Sequence, residues 1–271
     1  MAFGTEELAA YCQRIGWDGA VAPDRATLEA FALRQPAAIP FENLDPFLGR
    51  PVDLSPDALV AKLIHGRRGG YCFEQNGLLR LALEAVGFSV VPLSARVLWN
   101  QPPGTAVSPR THMLLLVELA EGPVLIDVGL GGAVLTGVLD LVPDIEQPTP
   151  HEPFRLLREG KDWIVQIRIA GEWRPTCRFD LTPQHQIDYE LANWWTSASP
   201  RSHFTQGLTI ARTLPDRRLA LRNREFAIHS ASGTERRTLP DAEAVCTLLE
   251  TEFGLDLPDR AGLAERIAGL N

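Results

Sequence analysis

The sequence predicts an α+β protein with a helical front, an antiparallel β middle and a mixed tail. Three observations carry that expectation. Apolar residues recur at helical spacing in segments between residues 5 and 86. From Phe88 the chain turns to β-branched runs separated by turn residues. From Asp241 the helical spacing returns. Boundaries are expected near 88 and 195, giving segments 1–88, 89–195 and 196–271.

The elements follow in order. Between Thr5 and Ile15, Leu8, Ala9, Cys12 and Ile15 share one helical face, and Glu6 and Glu7 sit in the first turn, where the helix dipole favours acids. Asp24 is expected to cap a second helix carrying Leu28, Phe31 and Leu33. Ser55-Pro56, an N-cap followed by proline at the first helical position, opens a third helix that runs to about Ile64. His65-Gly66-Arg67-Arg68-Gly69-Gly70 interrupts it, and a fourth helix runs from Cys72 to Val86 and stops at Gly87. Phe88–Trp99 and His112–Leu119 read as strands, and Glu121-Gly122 turns the chain into Val124–Val128. The prolines of 139–153 favour an extended surface segment. Further strands are expected at Phe154–Leu157, Trp163–Ile169, near Trp173, and at Phe204–Leu208, Arg218–Arg222 and Glu225–Ser230. Helices at Asp241–Phe253 and Arg260–Leu270, separated by Leu257-Pro258, close the chain. No internal repeat is visible.

Composition narrows the function. With 271 residues, 45% of them apolar and 22% charged, the chain has the make-up of a soluble globular protein with a large core. That excludes collagen-like, disordered and disulfide-scaffold classes. A net charge of −8 argues against sequence-independent binding to nucleic acid or an anionic membrane, but leaves room for a local basic pocket for a phosphorylated small molecule. Cys12, Cys72, Cys177 and Cys246 lie far apart with no CxxC spacing, so no zinc site is expected. No stretch approaches about 18 apolar residues, so no transmembrane helix is expected. The acidic, amphipathic start does not read as a signal peptide, and a reduced, cytoplasmic setting is expected.

Cys72 is the first candidate for chemistry. A thiol at a helix N-terminus faces the positive end of the dipole, which favours the nucleophilic thiolate. Gly69-Gly70 permits close backbone approach and leaves helix N–H groups as oxyanion donors. A small buried hydrophobe is the competing reading, and the favoured one for any of the four cysteines taken alone; Cys12 and Cys246 are read as core, and Cys177 has nothing nearby to activate it. His112 starts a strand. Asp127 interrupts an apolar run, where a carboxylate is costly unless paired or exposed at an edge. An even-length loop at Glu121-Gly122 makes paired positions sum to an odd number, and 112 and 127 do so. His112 and Asp127 then share a sheet face, and Asp127 can orient the imidazole toward Cys72. An odd-length loop breaks the argument. Among the other histidines, His65, His151, His185 and His229 are expected at the surface, while His203 fits either setting. Glu42 and Arg67 are expected to form a partly buried ion pair behind the cysteine loop, a solvated pair being the alternative.

Four segments now carry a resemblance. They are Ile39-Pro40-Phe41-Glu42-Asn43-Leu44, then Arg67 with Gly69-Gly70-Tyr71-Cys72-Phe73-Glu74-Gln75-Asn76, then Thr111-His112-Met113, and Asp127-Val128-Gly129 followed by Leu130-Gly131-Gly132. In order and spacing they resemble the arylamine N-acetyltransferases, over residues 5 to about 210. The resemblance implies a Cys72-His112-Asp127 triad. It also implies a helical bundle over 1–88, an antiparallel β-barrel-like domain over 89–195 and an α/β lid over 196–271, related to papain and transglutaminase-type cysteine enzymes. Phe41, Val97 and Phe204 match positions lining the acceptor pocket. Leu130 joins them, standing where the family usually has phenylalanine. Thr111, Gly129 and Gly131 fall where the family contacts coenzyme A, and Ser202 lies in a Ser-x-Phe segment near the mouth of the site. The implied activity is ping-pong transfer from acetyl-CoA, a co-substrate, to an arylamine or arylhydrazine, as in xenobiotic metabolism, with no metal or tightly bound cofactor. A thiol hydrolase or transglutaminase-like enzyme with the same triad is the first rival, and a non-catalytic binding module the second. A homo-oligomer is compatible with the amphipathic C-terminal helices.

Overall fold

The computed structural model describes residues 3–102, 104–257 and 259–270. Helix α1 (Thr5–Arg14) opens with the Gly4 N–H donating to Glu7, and α2 (Arg25–Ala38) with Asp24 accepting from the Thr27 N–H. Strand β1 (Phe41–Glu42) and the short α3 (Leu44–Phe47) follow. Ser55 caps α4 (Pro56–Leu59), which widens into π-helical turns over Val60–His65. Helix α5 (Cys72–Val86) ends at Gly87, whose φ of +105° suits the left-handed C-cap that glycine supplies without a Cβ penalty.

The middle of the chain forms a seven-stranded antiparallel sheet. Its strands are β2 (Ser89–Val97), β3 (His112–Leu119), β4 (Gly122–Ile126), β5 (Leu139–Asp140), β6 (Phe154–Glu159), β7 (Asp162–Ile169) and β8 (Glu172–Phe179). The order is β5-β4-β3-β2-β8-β7-β6. Beyond β5 the proline-bearing segment crosses to the far edge, where Pro143 bridges Leu156 and Gln147 bridges Phe154. The expected extended segment therefore draws the two edges together, so the sheet curls into a barrel-like shape and its edge strands are covered. Pro175 has no N–H to give, and the pairing of β7 with β8 slips beside it, between Val165 and Gln166.

Helix α6 (Gln186–Ala198) and the short α7 (His203–Gln206) lead into β9 (Thr209–Leu214), β10 (Arg217–Arg222), β11 (Glu225–Ser230) and β12 (Gly233–Thr238). These strands extend β1 into a second antiparallel sheet, ordered β1-β9-β10-β11-β12, which is backed by α8 (Ala242–Thr251) and α9 (Arg260–Ala268). The strand expected at Phe204–Leu208 is instead α7, because the Ser202 hydroxyl accepts the Phe204 N–H and starts a turn of helix. Pro258, half of the break expected before α9, lies outside the described residues.

Three apolar clusters fill the molecule. One joins α1, α2 and α5 to Met113, Leu115 and Val117 on β3. A second lies inside the barrel and takes Leu114 and Leu116 from the same strand. The third sits between the second sheet, α8, α9 and α3. Strand β3 is thus buried on both faces, the setting in which a strand reads as a continuous apolar run.

Candidate active site

The cysteine loop is laid directly on β1. Gly70 pairs with Phe41 in parallel, with the Glu42 N–H donating to the Gly70 carbonyl at 3.2 Å. A Cβ at Gly69 would stand 2.0 Å from the Pro40 carbonyl oxygen, so only glycine fits. Glu74 completes the helix start, its Oε2 accepting from the Tyr71 N–H at 3.1 Å. Cys72 is consequently fixed as the first residue of α5, 4% exposed, with its Sγ 3.3 Å from the Thr111 carbonyl oxygen.

Next in the chain, His112 opens β3 and Asp127 lies one residue past β4. Leu119 pairs with Gly122, which leaves a two-residue loop. The register runs through Leu115 opposite Ile126, so its next pair sets Asp127 against Leu114 and leaves His112 one diagonal step away on the same face. The His112 Nε2 meets the Asp127 Oδ2 at 2.6 Å, both groups buried. Asp127 uses its other oxygen to accept from the Gly129 N–H and the Asn76 Nδ2, each at 2.9 Å. Burial opposes a charge on His112, but the Asp127 carboxylate, helped by a hydrogen bond with Cys72, outweighs it and pushes the imidazole up to about 10. Cys72, His112 and Asp127 therefore form one contiguous group.

The surrounding residues vary in how they meet expectation. The Phe41 and Phe204 rings lie 5.9 Å apart, and Tyr71 sits 5.6 Å from Phe204. Asn43 ties this wall together, donating to the carbonyls of Phe204 and Gly207 and accepting from the Thr209 N–H. Gly131, at φ +63°, packs against Phe41, with the half-buried Leu130 beside it in the chain. Val97 ends β2 on the sheet face it shares with Ala95, the partner of His112. At Gly129 a Cβ would come within 2.7 Å of the Cys72 Cα, so this glycine is required by packing against the cysteine. Thr111 presents its carbonyl to Cys72, and the Ser202 hydroxyl is engaged by the Phe204 N–H and the Thr196 carbonyl. His203 is exposed, its ring 4.2 Å from Phe204. His151 departs from its expected surface placement: it is half-buried and bridges Thr136 to the Leu214 carbonyl, because the segment carrying it is pinned between the barrel and β9.

The ion pair behind the loop forms with a different arginine. Arg68, not Arg67, binds Glu42, its Nε donating to Oε1 at 2.9 Å. Arg67 adopts φ +48° and is exposed, so the turn after Gly66 throws it outward and brings the next side chain in. Arg68 also reaches Asp45, while Lys62 joins Asp45 and Glu74, each at 2.6 Å. Three carboxylates, Glu42 and Glu74 buried and Asp45 half-buried, thus share two cations. Burial, with Glu42 and Asp45 nearby, pushes Glu74 up to about 7 against the pull of Lys62.

Sequence reasoning gave no role to Glu74, Gln75 or Asn76. All three are buried, Gln75 donating to the carbonyls of Ile39 and Pro40. Their signal was available, because three consecutive polar residues open a helix that is otherwise packed on most sides. A groove of about 1410 Å³ between α3, α5 and α6 is lined by Phe47, Phe73, Tyr189 and Trp194, and by none of Cys72, His112 and Asp127. Among the described residues no group of three or more His, Cys, Asp or Glu side chains could hold a metal ion, and no helix is long and apolar enough to cross a membrane.

Comparison with known proteins follows the same lines. A family model described as N-acetyltransferase matches residues 24–262. An arylamine N-acetyltransferase from Mycolicibacterium smegmatis is 44% identical, over 94% of this chain and 94% of its own. One from Escherichia coli K12 is also 44% identical, over 92% and 89%. Among solved structures, the arylamine N-acetyltransferase of Mycobacterium tuberculosis superposes with a TM-score of 0.94 at 42% identity, covering 96% of this chain and 99% of that one. The Mycobacterium marinum protein in complex with CoA does so with a TM-score of 0.94 at 39% identity, covering 97% and 99%.

Proposed function

This chain belongs to the arylamine N-acetyltransferase family, and on that premise we propose that Cys72, His112 and Asp127 carry a ping-pong transfer of acetyl from acetyl-CoA to an arylamine or arylhydrazine. The observation that carries the reading is the 2.6 Å His112–Asp127 contact beside a cysteine that opens a helix.

In the first half-reaction the Cys72 thiolate attacks the thioester carbonyl. The N–H groups at the start of α5 stabilise the oxyanion. The C–S bond to coenzyme A breaks, and its thiolate leaves with the proton held by His112. The imidazole is then neutral and ready to act as a base. In the second half-reaction the amine attacks the acetyl-cysteine, His112 takes its proton, and Cys72 leaves as thiolate. Asp127 holds the ring and offsets its charge in both. A weakly basic arylamine suits this scheme because it stays unprotonated near neutrality.

Phe41, Val97, Leu130 and Phe204 are the proposed walls for the aromatic ring. Leucine at 130 leaves more room there than phenylalanine would. Thr111, Gly129, Gly131 and Ser202 are the proposed surroundings of the acetyl donor; the Mycobacterium marinum relative has been solved in complex with CoA. Since the Ser202 hydroxyl is already occupied, that residue has only its backbone to offer.

The test separates transfer from hydrolysis. Free coenzyme A is followed after mixing enzyme with acetyl-CoA alone and then with a substituted aniline. One fast equivalent followed by slow release, with rapid turnover once the amine is added, is expected. Rapid, continuous release of acetate without amine would identify a thiol hydrolase instead.

A further inference from the structure

We propose that Asn76 is the positioning residue of this site: it aims the Asp127 carboxylate at His112 and fastens the helix of Cys72 to the β3–β4 hairpin. The proposal rests on the catalytic reading given above. Asn76 lies four residues after Cys72 on α5, one turn along the same face, and is fully buried. Its Nδ2 donates to the Met113 carbonyl at 2.7 Å and to the Asp127 Oδ1 at 2.9 Å. Its Oδ1 accepts the Val128 N–H at 3.0 Å. A carbonyl on one side and an N–H on the other fix which way the amide faces. One side chain therefore touches the residue after His112, the residue after Asp127, and Asp127 itself.

The chemistry asks for an amide at this place. Asp127 must keep one oxygen free for His112. The two donors from Asn76 and Gly129 occupy the other and stop the carboxylate from rotating. An amide donates to that anion without adding charge. Aspartate at 76 would set a second carboxylate against Asp127 and against the Met113 carbonyl, and two such acids cannot both ionise at this separation. A protonated carboxyl, by contrast, restores one donor.

The test measures the rate at which wild-type and variant proteins acquire acetyl on Cys72 from acetyl-CoA, by rapid quenching and intact mass, across the pH range. Asn76→Asp should slow acetylation by about 10–100-fold at mildly alkaline pH, the scale on which outer partners of a reacting centre act. It should recover toward wild type as pH falls and the new carboxyl protonates, with KM for acetyl-CoA little changed. Adding Asn76→Asp to Asp127→Asn should slow the reaction no further than Asp127→Asn alone, because Asn76 acts through Asp127. A purely structural role would lower the rate equally at all pH values and multiply with Asp127→Asn, and either result overturns the proposal. Should the variants not fold, the Asn76 side-chain amide signals of the wild-type protein serve instead: they should move as His112, held by Asp127, titrates, and an unresponsive signal overturns the proposal. A wild-type protein that never acquires acetyl on Cys72 overturns the catalytic reading along with this one. Normal wild-type acetylation with unaffected Asn76 variants overturns this one alone.

Discussion

At the scale of single residues, neighbours in sequence do different work because the backbone sends them to different places. Arg67 and Arg68 are the clearest case. Removing Arg68 leaves the buried Glu42 and the half-buried Asp45 beside one remaining cation, so Arg68→Ala should cost about 3–5 kcal/mol of stability in denaturant unfolding. Arg67→Ala, at an exposed position, should change it by no more than about 0.5 kcal/mol. Equal effects would contradict the assignment. The glycines of the Asp127 loop divide in the same way. Gly129→Ala drives a methyl into the Cys72 backbone, an overpacking cost of about 1–3 kcal/mol that also moves Cys72. Gly131→Ala meets only ordinary contact with Phe41, and its cost of about 1 kcal/mol comes from the left-handed φ. Acetyl transfer should therefore fall at least about 10-fold for Gly129→Ala and much less for Gly131→Ala; the reverse order would show that Gly129 is not wedged against the cysteine.

At the scale of elements, the sequence was most legible where local chemistry and packing agree. Helix α5 announced itself through its glycine stop and its loop before Cys72, and the β3–β4 hairpin through an apolar run and a two-residue turn. That turn is why the same-face placement of His112 and Asp127 could be argued from parity alone. Elements shaped by distant partners were silent. Strand β12 is exposed at every residue and carries no apolar alternation, so only its pairing with β11 defines it. The exposed face of α6 bears Ile187, Leu191 and Trp194, which blurs the helical pattern that burial would otherwise impose. Residues 204–206 looked like a strand because Phe204 is apolar, yet the Ser202 cap decides their conformation. Ser202→Ala should accordingly lower stability by about 0.5–2 kcal/mol and raise KM for the arylamine through displacement of Phe204, leaving KM for acetyl-CoA nearly unchanged. A rise confined to acetyl-CoA would show instead that the hydroxyl meets the donor.

At the scale of the whole molecule, the site lies where the helical front and the two sheets come together. The helical cluster supplies Cys72, the barrel rim supplies His112 and Asp127, and the second sheet begins with β1, which brings Phe41. The buried charges at this junction also govern how the fold responds to pH. Both His112 and Glu74 have their proton affinity raised on folding, so each favours the folded state while protonated. The His112 contribution is complete below about 6.5, its ordinary value, and is lost as pH rises through about 10. The Glu74 contribution is complete below about 4.3 and is lost as pH rises through about 7. Relative to wild type, Glu74→Gln should thus gain stability as pH is raised from 4.3 to 7, and Asp127→Asn should do so from 6.5 to 10; pH-independent differences would contradict both assignments.

The claim on which all of this turns is that Cys72 is the acetyl carrier, activated by His112 and Asp127. Intact-mass measurement after brief exposure to acetyl-CoA tests it most directly. Wild type should gain one acetyl group, localised to Cys72 and discharged by an arylamine. Cys72→Ala should gain none, and Asp127→Asn should gain it far more slowly. Acetylation that persists in Cys72→Ala, or a wild-type protein that gains no mass while still acetylating amines, would contradict the account.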